Sequence, residues 1–187
     1  MVKEKNSMNF YPLEIKFRNA SGEWGSLAEQ AIKIVSPNRI HVEGKFPDHL
    51  PEAYKHLEGK SFSSSSAKEG IHGGNGVRIK AIQYSHPERW TTYILWITKE
   101  ELEDILFDCE CLAATGQGYD FRGAAGCAVT GKENPWLWFC SEVVFDRIVT
   151  KWFPARLNYK MHPDKLEQLV IILEAKLLER KFKVEGV

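Results

Sequence analysis

Residues 40–46 read Ile40-His41-Val42-Glu43-Gly44-Lys45-Phe46 and alternate apolar or small residues with polar ones. Because a β-strand has a period of two, this pattern predicts a strand with one buried face. His41 and Glu43 then share the other face. At that spacing a carboxylate can accept a hydrogen bond from one imidazole nitrogen and leave the other nitrogen free to act as a base.

Further strand patterns lie on both sides of this segment. Alternating or β-branched residues predict strands at residues 13–18, 60–66, 77–82 and 90–97. Residues 27–35 have apolar side chains at helical spacing, which predicts a helix that ends before Pro37. Between the strands, residues 47–58 form a polar segment and residues 70–76 a glycine-rich turn.

The second half of the chain has mainly helical patterns. Thr98 and Glu101 form a capping box, which is followed by an apolar stripe of Leu102, Ile105, Leu106, Cys109 and Leu112. After a loop at residues 119–137, further helices are predicted from Phe139 and from Pro163. Strands that come first and helices that follow indicate an α+β protein in which an antiparallel sheet packs against helices.

The composition is that of an ordinary globular protein. A length of 187 residues predicts one domain over residues 1–187, with residues 1–10 disordered. Lys plus Arg and Asp plus Glu each number 25, so the chain lacks the basic field that attracts nucleic acid or an anionic membrane. Four basic residues, Arg78, Lys80, Arg89 and Lys99, are interpreted as part of a solvated face.

No apolar run follows the first residues, and none reaches the ~20 residues that span a bilayer. The sequence therefore predicts a cytoplasmic protein without a signal peptide or a membrane span. In the reducing cytoplasm, the four cysteines (Cys109, Cys111, Cys127 and Cys140) are expected to be thiols rather than disulfides. Cys109 and Cys111 have neither a second cysteine pair nor a nearby histidine, so no zinc site and no cofactor are predicted.

The most informative cysteine is Cys140, within Trp136-Leu137-Trp138-Phe139-Cys140-Ser141-Glu142-Val143-Val144. It falls in the first turn of the predicted helix, where the helix dipole and unpaired backbone N–H groups favour a thiolate and can stabilise an oxyanion. A cysteine beside aromatic residues is also typical of a packed core, and a lone strand histidine is commonly structural. Cys140 together with His41 and Glu43 favours a base-activated nucleophile.

The order of these motifs resembles the permuted papain-like hydrolases, the YiiX-type relatives of the NlpC cell-wall peptidases, especially their short phage and prophage members. The matching segments, spread over residues 13–175, are Ile15-Lys16-Phe17, residues 38–43, 59–65 and 76–80, Trp90, Gly118-Tyr119-Asp120 with Gly123, Phe139-Cys140-Ser141-Glu142, and residues 162–166. In this family the histidine precedes the cysteine, as His41 precedes Cys140 here.

The resemblance implies a permuted papain-like fold and a cysteine hydrolase. Carried onto this chain, it makes Cys140 the nucleophile, His41 the base and Glu43 the acid that orients the base. Tyr119 and Ser141, which lie in matching motifs, are the predicted substrate-binding residues, with loop packing as an equal alternative for Tyr119.

The chain also departs from the family pattern. Residues 47–58 and 71–75 are interpreted as insertions. Many relatives take their acid from the strand after the histidine, where this chain has Ser63–Ser66, so that strand is the alternative source of the orienting group.

The expected reaction is hydrolysis of an amide through a thioester on Cys140, with a peptide, a cell-wall peptide or a lipid acyl group as substrate. Two alternatives stay open. One is a catalytically inactive binding or structural module of the same fold, and the other is a lipid acyl hydrolase or transferase. The reactivity of Cys140 distinguishes the first alternative from an enzyme.

Overall fold

The structure, a computed structural model, describes residues 9–20, 30, 32–34, 36–65, 76–84, 86–120, 137–153 and 161–186. Its strands are β1 (Phe10–Asn19), β2 (Arg39–Lys45), β3 (Ser61–Ser65), β4 (Gly76–Lys80), β5 (Trp90–Thr98), β6 (Gly118–Tyr119) and β7 (Leu137–Trp138). The longer helices are α1 (Lys99–Ala114), α2 (Cys140–Arg147) and α3 (Pro163–Glu185). The predicted α+β class is confirmed.

The strands β1 to β5 form one antiparallel sheet in the order β4-β3-β2-β1-β5. In the register of β1 and β2, Phe17 lies opposite Val42 and Lys16 lies opposite Glu43. The register shifts between Arg18 and Asn19. β6 and β7 form a separate parallel pair.

The two faces of the sheet differ because side chains alternate along each strand. Leu13, Ile15 and Phe17 of β1 are fully buried in a core shared with all three helices. The residues between them are charged: Lys16 donates to Thr92 Oγ1 at 3.1 Å, and Glu14 pairs with Lys45 at 3.3 Å. One face therefore packs on helices and the other is polar.

The helix α1 begins as the sequence predicts. Thr98 Oγ1 accepts from the backbone N–H of Glu101, and the Glu101 carboxylate accepts from the backbone N–H of Thr98, so the capping box is confirmed. The apolar stripe is confirmed as well, because its five members are buried: Leu102, Ile105, Leu106, Cys109 and Leu112. None of the helices among the described residues is long and apolar enough to cross a membrane.

The start of α3 is bonded to the segment that leads into β2. The backbone N–H of Asp164 donates to Ser36 Oγ at 3.1 Å, and Ser36 Oγ donates to the Asp164 carboxylate at 2.9 Å. The same carboxylate accepts from the backbone and side-chain nitrogens of Asn38, at 3.2 and 3.0 Å. Further along α3, Glu174 accepts from the backbone N–H of Ile94 at the sheet edge.

Some boundaries differ from the sequence-based expectation. β4 ends at Lys80 rather than residue 82, and the predicted loop at 119–137 contributes strand residues at both of its ends. Residues 47–58 contain the short 3-10 helix Glu52–Leu57, in which Leu57 joins the core. The glycine-rich turn at 70–76, the disordered residues 1–10 and the helix at 27–35 fall largely outside the described residues.

Candidate active site

Cys140 is the first residue of α2, as the sequence predicts, and is only 2 % exposed. The preceding residue, Phe139, caps the helix without a side-chain hydrogen bond. The first backbone N–H groups of an α-helix have no partner inside the helix, so this terminus presents donors and the positive end of the helix dipole beside the thiol. Such a position favours negative charge on the Cys140 sulfur and on the oxygen of a carbonyl group bound next to it.

The structure brings Cys140 and Glu43 close to the His41 imidazole. His41 Nε2 lies 3.0 Å from Glu43 Oε1. Cys140 acts on the same ring, since its negative charge raises the pKa of His41. The His41 side chain is 18 % exposed and that of Glu43 3 %.

The charges around the ring favour its protonated form. Burial disfavours the imidazolium of His41, but the negative charge and hydrogen bond of Cys140, together with those of Glu43, outweigh burial and raise the pKa of His41 to about 9. These contacts therefore stabilise the imidazolium form of His41.

Glu43 has two further partners on its carboxylate. Arg78 Nη2 of β4 lies 3.2 Å from Oε1, and the Tyr84 hydroxyl donates to Oε2 at 2.8 Å. Burial would raise the pKa of Glu43, but the hydrogen bond and charge of His41, the charge of Arg78 and the hydrogen bond of Tyr84 lower it instead. Glu43 is therefore a buried carboxylate that remains ionised at neutral pH.

Tyr84 lies in the irregular segment between β4 and β5 and contacts several strands. Its hydroxyl is 2.6 Å from Ser61 Oγ, and its ring packs edge-on against Trp90 with centroids 5.0 Å apart. Trp90 in turn packs edge-on against His41 at 6.3 Å. Burial and the charge of Glu43 raise the pKa of Tyr84, so its phenol stays a donor.

The two residues predicted to bind substrate, Tyr119 and Ser141, have internal partners. The Ser141 hydroxyl is buried and donates to the backbone carbonyl of Met161. The Tyr119 ring is buried in a small cluster with Ile32, Ile40 and Phe139. The Tyr119 ring therefore packs inside the protein, which is the alternative considered for it, and the Ser141 hydroxyl is bonded to the backbone.

The serine-rich strand that was the alternative source of the orienting group is engaged elsewhere. Ser63 Oγ donates to the carbonyl of Val42 at 2.7 Å, and Ser64 Oγ donates to the carbonyl of Trp138 at 2.7 Å. Ser66 lies outside the described residues. Among the described residues, Glu43 is thus the carboxylate that contacts the His41 ring.

The other cysteines have different surroundings. Cys109 is fully buried on the α1 stripe, and burial raises the pKa of its thiol, whereas Cys111 is exposed. Cys127 lies outside the described residues. Among the residues that the structure describes, no three His, Cys, Asp or Glu side chains form a group that could hold a metal ion.

Sequence reasoning missed the two residues that bind Glu43. Arg78 was assigned to a solvated face, which is wrong, because its side chain is 10 % exposed and pairs with Glu43. The alternation Gly76-Val77-Arg78-Ile79-Lys80 was a usable signal, since it puts Arg78 on one face of a strand. Tyr84 follows no periodic pattern, and its place next to Glu43 depends on the path of an irregular segment.

In comparisons with protein-family models, with curated proteins and with solved structures, no match to this chain was found.

Proposed function

We propose that this chain is a cysteine hydrolase of the permuted papain-like fold that cleaves an amide bond, with Cys140 as nucleophile. The observation that carries the proposal is the His41 imidazole, which meets Glu43 at 3.0 Å and whose pKa is raised by the charge of Cys140 at a helix N-terminus. The resemblance of the motif order to that family favours a peptide amide as substrate.

The contacts support a two-step acyl transfer. The Cys140 thiolate attacks the amide carbon, and the carbonyl oxygen becomes an oxyanion stabilised by backbone N–H groups of the first turn of α2. The C–N bond then breaks as the His41 imidazolium gives its proton to the leaving nitrogen, which releases the amine and leaves a thioester on sulfur. Neutral His41 next takes a proton from water as the hydroxide adds to the thioester carbon. The C–S bond then breaks, which releases the carboxylic acid and leaves the Cys140 thiolate beside the His41 imidazolium.

Glu43 does not contact the substrate in this mechanism. Its negative charge stabilises the imidazolium, and its contact with Nε2 holds the ring so that the other nitrogen faces the sulfur. The Trp90 ring packs against the imidazole with ring centroids 6.3 Å apart, and the Glu43 carboxylate is buried. Burial strengthens the attraction between the charged partners.

The proposal is tested with activated acyl donors, because they acylate a reactive thiolate whatever the natural leaving group is. Wild type, Cys140→Ala and His41→Ala are incubated with p-nitrophenyl acetate and with a peptide p-nitroanilide panel. We expect rapid acetylation at Cys140 in wild type, seen by peptide mass mapping, and loss of at least ~10³-fold in either variant. Acetylation of Cys140 that does not depend on His41 would favour the inactive binding module.

A further inference from the structure

We propose that Arg78 and Tyr84 are positioning residues that keep Glu43 charged and aligned on His41, so that the Cys140–His41 ion pair persists in mildly acidic solution. This inference rests on the proposed function for its biological meaning, but its chemistry concerns only the ion pair. Neither residue is proposed to touch the substrate.

The first step of the argument is the cost of burying Glu43. Its side chain is 3 % exposed, and an isolated buried carboxylate takes up a proton rather than remain charged. A protonated Glu43 would no longer be an anion at the imidazolium. Some group must therefore offset the burial of this charge.

The His41 imidazolium does so first, and Arg78 is the second cation that does so. Its Nη2 lies 3.2 Å from Glu43 Oε1, the same oxygen that contacts His41. Within the described part of the chain, Nε and Nη1 of Arg78 are buried without hydrogen-bond partners, and Glu43 is the carboxylate with which Arg78 pairs. The guanidinium therefore acts mainly on Glu43, and a change at Arg78 reports on that carboxylate.

Tyr84 supplies the second oxygen. Its hydroxyl donates to Oε2 at 2.8 Å and is itself 2.6 Å from Ser61 Oγ, while its ring packs on Trp90. With Oε2 engaged, the carboxylate plane is held and Oε1 stays directed at His41. The Lys16 ammonium lies 4.8 Å from the centre of the Tyr84 ring, on the side of β1.

The remaining charges near the pair do not replace Arg78. Lys16 is opposite Glu43 in the strand register, but its ammonium is 2.7 Å from the Glu14 carboxylate. Arg18 is opposite His41 in the same register. It belongs to β1, which borders β2 on the side away from β3 and β4. Among the described residues, Arg78 is thus the cation that contacts the Glu43 carboxylate besides His41.

The test measures the rate at which iodoacetamide alkylates Cys140 between pH 4 and pH 10, read by peptide mass mapping. In Arg78→Met, Glu43 becomes protonated at higher pH and no longer stabilises the His41 imidazolium. The thiolate then loses its charged partner, so the acid limb of the profile should move up by about one pH unit. Tyr84→Phe keeps the aromatic ring and should move the acid limb in the same direction by a smaller amount.

Three controls separate this effect from general damage. Arg78→Lys keeps the charge and should return the acid limb close to that of wild type. Arg180→Met removes an arginine that pairs with Glu101, and Tyr93→Phe removes a hydroxyl that donates to Glu167, so both match the test variants away from Glu43. Neither variant should shift the acid limb of the alkylation profile. General damage to packing would instead change the alkylation rate of Cys140 by the same factor at every pH.

Equal shifts in Arg78→Met and Arg78→Lys, or no shift in Arg78→Met, would overturn the inference. The assay needs no substrate, so a chain that cleaves no amide but shows these shifts would refute the proposed function and support the inference. A wild-type Cys140 that alkylates no faster in acid than a free thiol would overturn both.

Discussion

Gly44 of β2 lies so close to α2 that a β-carbon built on it would be 2.5 Å from Cδ1 of Ile148. The strand that holds His41 and Glu43 therefore touches the end of the helix that begins at Cys140. Atoms cannot approach at that distance, so a larger residue must displace the end of the Ile148 side chain.

We expect Gly44→Ala to lower the free energy of unfolding by about 1–3 kcal/mol, because it overpacks this contact. Ile148→Val removes the clashing methyl group and should cost about 0.5–1.5 kcal/mol alone. In the double variant the two costs should not add, since the valine makes room for the alanine. Urea unfolding of the four proteins measures the coupling. Simple additivity would show that the contact is not tight.

Glu43→Gln should preserve the fold and reduce hydrolysis by up to about 10⁴-fold, the loss seen when the acid of a serine protease triad is made neutral. An amide of the same shape can still meet His41, but it stabilises the imidazolium less and can select the wrong tautomer. The measurement is kcat/KM on any substrate that His41→Ala fails to cleave.

A matched control exists for Glu43→Gln. Glu110 pairs with His56 at 2.6 Å on the surface, so Glu110→Gln changes the same kind of pair outside the site. It should leave kcat/KM within about twofold of wild type, because exposed pairs contribute little. Full turnover by Glu43→Gln would mean that another group orients the imidazole.

Hydrolysis should decline as pH rises through about 9, the pKa of His41. That pKa is raised, so the imidazolium persists below pH 9 and is lost above it, and only the imidazolium can protonate the leaving nitrogen. Alkylation of Cys140 should not decline over the same range, because it needs only the thiolate. Parallel falls in both rates would contradict this assignment, and ¹⁵N NMR of the His41 ring locates the midpoint directly.

At pH 6, iodoacetamide should label Cys140 before Cys111 and Cys111 before Cys109. Cys140 has the imidazolium partner, Cys111 is exposed, and Cys109 is fully buried with a raised pKa. Peptide mass mapping over time gives the three rates from one sample. Labelling of Cys111 first would show that exposure, rather than ion pairing, controls reactivity.

Local patterns were enough to predict the parts of this protein that depend on periodicity. The alternation around His41 predicts that Glu43 shares its face, and the two side chains do meet at 3.0 Å. The Thr98 and Glu101 capping box predicts where α1 begins, because its bonds join residues three apart. Such features are fixed by neighbours in the chain.

The partners of Glu43 could not be predicted in this way. Arg78 and Tyr84 are separated from it by 35 and 41 residues. Their contacts depend on how β4 joins the sheet and on an irregular segment that has no period. The approach of Gly44 to Ile148 is likewise a property of packing between a strand and a helix, which strand alternation alone does not fix.

The bonds from Asp164 to Ser36 have a consequence for biosynthesis. These residues are 128 positions apart, and a ribosome adds about 5–20 residues per second, so His41 emerges well before Cys140 and the start of α3. Long-range contacts of this kind form late because loop closure must precede them. A nascent chain that ends before α3 therefore lacks the bonds from Asp164 to Ser36, and we expect the segment that leads into β2 to be fixed only after α3 has been synthesised.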